Sequence, residues 1–171
     1  MKKIVLTGGP SVGKTTIIEI LASKGYTVVP EAARMIIEEE KIKGSDALPW
    51  KDIGKFQHLV AERQIELEAE ATGNFVFYDR GIVDGYAYCK VSDVPVSNLI
   101  LDNAKGRYDK IFFLESLGLY VEDGIRSKDF EDALAIHNKI KESYIKFGYD
   151  PITVPVLPPD QRVDFILKSI K

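Results

Sequence analysis

Short apolar runs alternate along this chain with segments whose apolar positions recur every three or four residues. Ile4-Val5-Leu6, Tyr26 to Val29, Phe75 to Tyr78, Ile111 to Leu114 and Ile152 to Val154 read as strands, Phe75 to Tyr78 and Ile111 to Leu114 as buried ones. Between them lie helical patterns. Ile17, Ile18 and Leu21 share a face and Gly25 stops the pattern; Ala32 to Glu40 continues until Gly44. The longest runs from Ile53 to Ala71 on a stripe of Ile53, Phe56, Val60 and Leu67. Further helices are expected at Asp84, which begins or continues one, over Val96 to Ala104, over Phe130 to Phe147 and over Gln161 to Lys171. In the third of these, Phe130, Leu134, His137, Ile140, Tyr144 and Phe147 fall on one side, which makes His137 a packed core histidine. Strand–helix alternation of this kind predicts an α/β fold with a mainly parallel sheet. There is no internal repeat, low-complexity stretch or linker, so residues 1–171 read as a single domain.

The first strand leads into Gly8-Gly9-Pro10-Ser11-Val12-Gly13-Lys14-Thr15, which satisfies G-x-x-x-x-G-K-[ST] between a strand and a helix. Glycines allow backbone N–H groups to converge on phosphate oxygens, and the helix N-terminus adds a field that favours anions. Residues Gly8 to Thr15, with Thr16, are therefore expected to bind a nucleoside triphosphate. Lys14 is placed to neutralise the β- and γ-phosphates, and Thr15 to ligate Mg²⁺.

In open α/β sheets ligands sit beyond the carboxyl ends of the strands, so residues there are the next candidates. Glu31 and Arg34 follow the second strand; they are either substrate contacts or a helix-start carboxylate with its i,i+3 partner. Asp79, ending the third apolar run, is expected to organise Mg²⁺ beside Thr15, with helix capping as the plainer role. Arg80 next to it is placed to hold phosphate or substrate. Arg63 interrupts the stripe of the long helix and needs an anionic ligand, a buried carboxylate, or a route to solvent. The polar stretch Leu119 to Ser127 carries one arginine, Arg126, suited to a lid that closes over a moving phosphoryl group.

Composition narrows the function classes. A formal charge of −3 argues against a nucleic-acid-binding surface. The apolar run after the N-terminal lysines is too short for a signal peptide, and no stretch approaches membrane-spanning length. Cys89 is the only cysteine. With no export signal, the chain reads as cytoplasmic.

Together the phosphate loop, the Glu after the second strand, Tyr78-Asp79-Arg80-Gly81 and Glu122-Asp123-Gly124-Ile125-Arg126-Ser127 resemble one group of proteins. These are the small P-loop kinases and predicted ATPases related to nicotinamide-riboside kinase domains and to thymidylate and deoxyribonucleoside kinases. The resemblance implies a three-layer fold with a five-stranded parallel sheet in the order 2-3-1-4-5. It implies ATP and Mg²⁺ as cofactors, with GTP an open alternative. It implies catalytic roles for Lys14, Glu31, Asp79 and Arg126, with either Glu31 or Asp79 as base. The expected reaction moves the γ-phosphoryl group of ATP to a hydroxyl of a small, nucleoside-like metabolite. A nucleotide-dependent switch without an acceptor and a nucleoside monophosphate kinase are the alternatives. Against a GTPase switch, Asn138-Lys139-Ile140-Lys141 lacks the Asp of a guanine motif.

Overall fold

The computed structural model describes residues 1–117 and 130–170. Five strands, β1 (Lys2–Thr7), β2 (Thr27–Val29), β3 (Phe75–Asp79), β4 (Lys110–Leu114) and β5 (Ile152–Val154), form one sheet ordered β2-β3-β1-β4-β5. Every pairing is parallel, with Leu6 opposite Asp79 and Phe112 on its two sides. This is the sheet order that the family resemblance implied.

Successive side chains on a strand point to opposite faces, and here both faces are apolar. Val5, Val76, Tyr78, Ile111 and Phe113 pack against α4 (Ile82–Val91) and α6 (Phe130–Lys146) through Val83, Ala87, Ile136, Ile140 and Tyr144. Ile4, Leu6, Phe77, Phe112 and Leu114 face the other way. They meet Ile17 and Leu21 of α1 (Lys14–Ser23) and Val163 and Ile166 of α7 (Pro159–Ser169). Each fully buried side chain of this size contributes about 1.5–3 kcal/mol, so the two layers fix where the strand ends stand.

The remaining helices build a wall beside that core. α2 (Ala32–Lys43) packs on α3 (Ile53–Glu70) through Ala33, Ile36, Ile37 and Phe56. Ala61 of α3 meets Ile82, Tyr86 and Ile100, the last from α5 (Asn98–Asn103). No described helix is long and apolar enough to cross a membrane.

Two details depart from the sequence expectation. The buried face of α3 includes Gln57, Gln64 and Glu68 beside Phe56 and Ala61, so apolar periodicity alone misplaced its centre. Glu68 is tolerated inside because four donors reach it: Lys3, Gln64, Arg107 and the Tyr108 hydroxyl. On α6, Leu134 is 42% exposed; the inward face runs through Ala133, Ile136, His137, Ile140 and Tyr144.

Candidate active site

The phosphate loop joins β1 to α1, and three side chains from distant elements hold it from outside. Gly8 carbonyl accepts from Arg80 Nη1 at 3.0 Å, Gly9 N–H donates to His137 Nδ1 at 3.0 Å, and Val12 carbonyl accepts from Arg162 Nη1 at 2.7 Å. Arg162 also donates to the Pro155 and Glu115 carbonyls, so α7 ties the loop to the ends of β4 and β5. Inside the loop, Lys14 Nζ donates to the Gly9 carbonyl at 2.8 Å and the Gly8 carbonyl at 3.3 Å. Burial, with Arg80 adding to it, lowers the Lys14 pKa to about 7 against the pull of Asp79, Glu31 and Asp84. Thr15 and Thr16 follow on the exposed side of α1.

An acidic corner stands beside the loop. Arg80 Nε donates to Glu31 Oε1 at 2.9 Å, and Arg80 Nη1 to Asp84 Oδ1 at 2.9 Å. Arg80 holds φ of 72°, in the left-handed region. A non-glycine residue there costs about 1–3 kcal/mol, and the bonds to Gly8, Glu31 and Asp84 hold it in place. Glu31, at the N-terminus of α2, also accepts from Arg34 Nε at 3.1 Å. Asp84 is a four-way acceptor: Thr7 hydroxyl at 2.7 Å, Tyr144 hydroxyl at 2.7 Å, Arg80, and Gly81 N–H at 3.2 Å. That last bond helps start α4 at Ile82, so Asp84 continues a helix rather than beginning one. Gly81 leaves no room for a side chain, because a Cβ would stand 2.8 Å from the Tyr144 hydroxyl.

Asp79 contrasts with its neighbours. Its Oδ1 is buried with no hydrogen-bond partner among the described residues, and burial raises its pKa although Lys14 opposes the shift. An unsatisfied buried carboxylate oxygen is costly unless a cation or donor completes it.

A cavity of about 490 Å³ opens from this corner between α2, α3 and α4. Glu31, Asp79, Arg80 and Asp84 line it together with Trp50 and Gln57. The indole of Trp50 is 52% exposed and stacks under Lys41 Nζ at 5.3 Å. Gln57 is 5% exposed and makes no hydrogen bond among the described residues; its Oε1 lies where a Cβ on Gly85 would approach to 3.0 Å.

The structure therefore brings Lys14, Glu31, Asp79 and Arg80 together at one sheet edge and holds Arg34 at its margin. Arg63 lies elsewhere, clamped by Glu39 at 2.7 and 3.1 Å and by Glu66 at 3.1 Å; these carboxylates are exposed rather than buried, so it meets neither the buried partner nor the ligand expected of it, and it does not line the cavity. Arg126 and the rest of Glu122 to Ser127 lie outside the described residues. Sequence reasoning missed Asp84, Gln57, Arg162 and the contact of His137 with the loop. Asp84 had a usable signal, four residues after Arg80 at a helix start. The others depend on contacts between elements distant in the chain.

A family model described as an AAA domain matches residues 3–162, and the chain belongs to that family. Solved structures share its fold at low identity. A NadR protein in complex with NR superposes with a TM-score of 0.72 at 19% identity, over 98% of this chain and 51% of that one. The chain thus spans about half of that protein. Deoxyadenosine kinase from M. mycoides gives a TM-score of 0.67 at 18% identity, over 99% and 98% of the two chains. Shikimate kinase from Aquifex aeolicus gives 0.60 at 20% identity, over 99% and 96%. No curated protein matched the sequence.

Proposed function

We propose that this chain is a Mg²⁺-dependent kinase that transfers the γ-phosphoryl group of ATP to a hydroxyl of a small, nucleoside-like metabolite. The observation that carries this reading is the double engagement of Arg80. One guanidinium binds both the Gly8 carbonyl of the phosphate loop and the Glu31 carboxylate on the wall of the 490 Å³ cavity. Donor and acceptor halves thus share a rigid joint, which suits a reaction whose catalysis is mainly positioning and electrostatics.

In this reading Lys14 leaves the loop carbonyls for the β- and γ-phosphates. Glu31, held by Arg80, orients the acceptor hydroxyl and takes its proton as the oxygen bonds to the γ-phosphorus. The bond from that phosphorus to the β,γ-bridging oxygen breaks and ADP leaves. The Thr15 hydroxyl and Asp79 are the residues that fit Mg²⁺, because the orphaned Asp79 Oδ1 lacks the counter-charge a cation brings. Magnesium would supply neutralisation of charge developing on the phosphates. Arg126 is proposed to add lid charge to the same group.

The cavity charge favours an acceptor without its own phosphate. Glu31, Asp79, Asp84 and Asp132 line it against Arg80 and Lys41, and Arg80 is engaged by carboxylates. The relatives in fold support the class, since they include a deoxyadenosine kinase and a shikimate kinase.

The test is incubation with Mg²⁺ and labelled ATP against nucleosides, nicotinamide riboside, shikimate and nucleoside monophosphates. Phosphorylated product from an uncharged or cationic nucleoside is expected. ADP release that no acceptor stimulates would favour a nucleotide-dependent switch and overturn the kinase reading. Lys14→Ala should abolish turnover in a protein that keeps its fold.

A further inference from the structure

His137 is buried in the inward face of α6 with 4% exposure, yet its contacts are not those of an inert core residue. The ring packs on Phe113 at 4.4 Å between centroids, and Nδ1 accepts the Gly9 N–H at 3.0 Å. The approach is as close as the backbone permits. A Cβ on Gly9 would stand 2.9 Å from His137 Cβ and 3.2 Å from the Ala133 carbonyl oxygen, so glycine is required there.

The N–H that His137 receives belongs to the Gly8–Gly9 peptide. The carbonyl of that same peptide accepts from Arg80 Nη1 at 3.0 Å and Lys14 Nζ at 3.3 Å. One peptide plane at the start of the phosphate loop is therefore pinned at both ends, by an imidazole on α6 and by the guanidinium of Arg80 just after β3. An imidazole nitrogen that accepts an N–H carries no proton, so His137 is neutral here with its proton on Nε2.

We propose that His137 is a positioning residue of the donor site: its neutral imidazole and Arg80 together set the Gly8–Gly9 peptide, and protonating His137 releases that peptide and weakens triphosphate binding. The inference rests on the nucleotide-binding part of the function proposed above. Protonated Nδ1 is a donor facing a donor, so the Gly9 N–H loses its partner while remaining buried. The charged groups around the ring pull in both directions. Glu115, at the end of β4 and 3.8 Å from Nε2, favours the imidazolium; Lys14 on α1 and Lys141 on α6 oppose it. Burial outweighs them and holds the pKa below its ordinary 6.5, so the neutral form that the loop requires persists through neutral pH.

The test compares wild type, His137→Asn and His137→Leu by equilibrium titration with Mg–AMP-PNP from about pH 5 to 8. Asn places a non-titrating acceptor oxygen near the Nδ1 position; Leu offers none. At pH 7.5 wild type and the Asn variant should bind alike, and the Leu variant about tenfold or more weaker. On acidification, wild-type affinity should fall about tenfold relative to the Asn variant, cancelling every group the two share. The Gly9 amide proton, followed by NMR without nucleotide, should titrate with the His137 ring in wild type and stay fixed in the Asn variant.

Parallel pH profiles with a silent Gly9 amide would overturn the inference and leave the kinase reading standing. Acid-strengthened binding in wild type relative to Asn would also overturn it, making His137 a cationic phosphate contact. Wild type that binds no nucleotide at any pH would remove the donor site and this inference with it, whereas a flat profile in a protein that binds removes only the inference.

Discussion

Arg80 Nε meets Glu31 Oε1 at 2.9 Å, and this one bond joins the carboxyl end of β3 to the first residue before α2. Both side chains are almost fully buried, at 8% and 7% exposure. Breaking such a pair from one side leaves an uncompensated charge and costs about 3–5 kcal/mol. Glu31→Ala should therefore lower the unfolding midpoint clearly. Glu31→Gln keeps an acceptor for Arg80, so it should unfold closer to wild type.

The same pair of variants separates structure from chemistry. With a saturating acceptor, Glu31→Gln should lower kcat by about 10²–10⁴, the usual contribution of a positioned base. Steady-state kinetics on the folded variant measures this. Unchanged kcat would reduce Glu31 to a helix-start carboxylate.

Lys14 gives a prediction in protons. With its pKa near 7, below the 10.5 of a free lysine, its ammonium has lost most of its charge at pH 8. Phosphates placed beside it stabilise the charged form and raise that pKa. Nucleotide binding at pH 8, without Mg²⁺, should then take up close to one proton, and near pH 5 almost none from this group. Calorimetry in buffers of different ionisation enthalpy counts the protons, with Lys14→Met as the control that should take up none. Uptake that grows as pH falls would contradict the sign.

Asp84 lines the cavity and holds the corner together. Its carboxylate accepts four donors, from Thr7, Arg80, Gly81 and Tyr144. Asp84→Asn replaces one acceptor oxygen by an amide donor aimed at donors, and removes the charge opposite Arg80. A loss of about 3 kcal/mol or more is expected in denaturant unfolding. A variant as stable as wild type would show that Arg80 needs only Glu31.

The sheet was readable from the chain because each strand holds a short, largely apolar run between turn signals, and each run lies where the structure has a strand. The phosphate loop was readable because its spacing is local and its glycines, lysine and threonine each have a separate physical reason to be there. What escaped was whatever depends on two distant segments meeting. His137 looked like one more inward residue of α6, since nothing in its neighbourhood reveals that Gly9 lies across from it, 128 positions away. Arg162 reaches Val12 over 150 positions in the same manner. Gln57 was hidden for a different reason: periodicity counts apolar residues, so a polar residue on a buried face reads as a gap.

That gap carries the last prediction. Gln57 is 95% out of solvent, given its 5% exposure, and its amide finds no hydrogen bond among the described residues while lining the cavity. The buried polar atoms that lack a partner among the described residues do not include this amide, so it stays open to the cavity, where an acceptor can bond to it. Gln57→Leu keeps the side-chain bulk over Gly85 and removes the amide. The variant should be about as stable as wild type and should bind the acceptor about ten- to a hundredfold more weakly. If the amide contacts the acceptor equally before and during transfer, KM rises while kcat holds. Thermal unfolding and acceptor saturation kinetics read the two effects separately. A destabilised variant with unchanged KM would make Gln57 a packing residue, and the cavity would then recognise its acceptor through the carboxylates and Trp50.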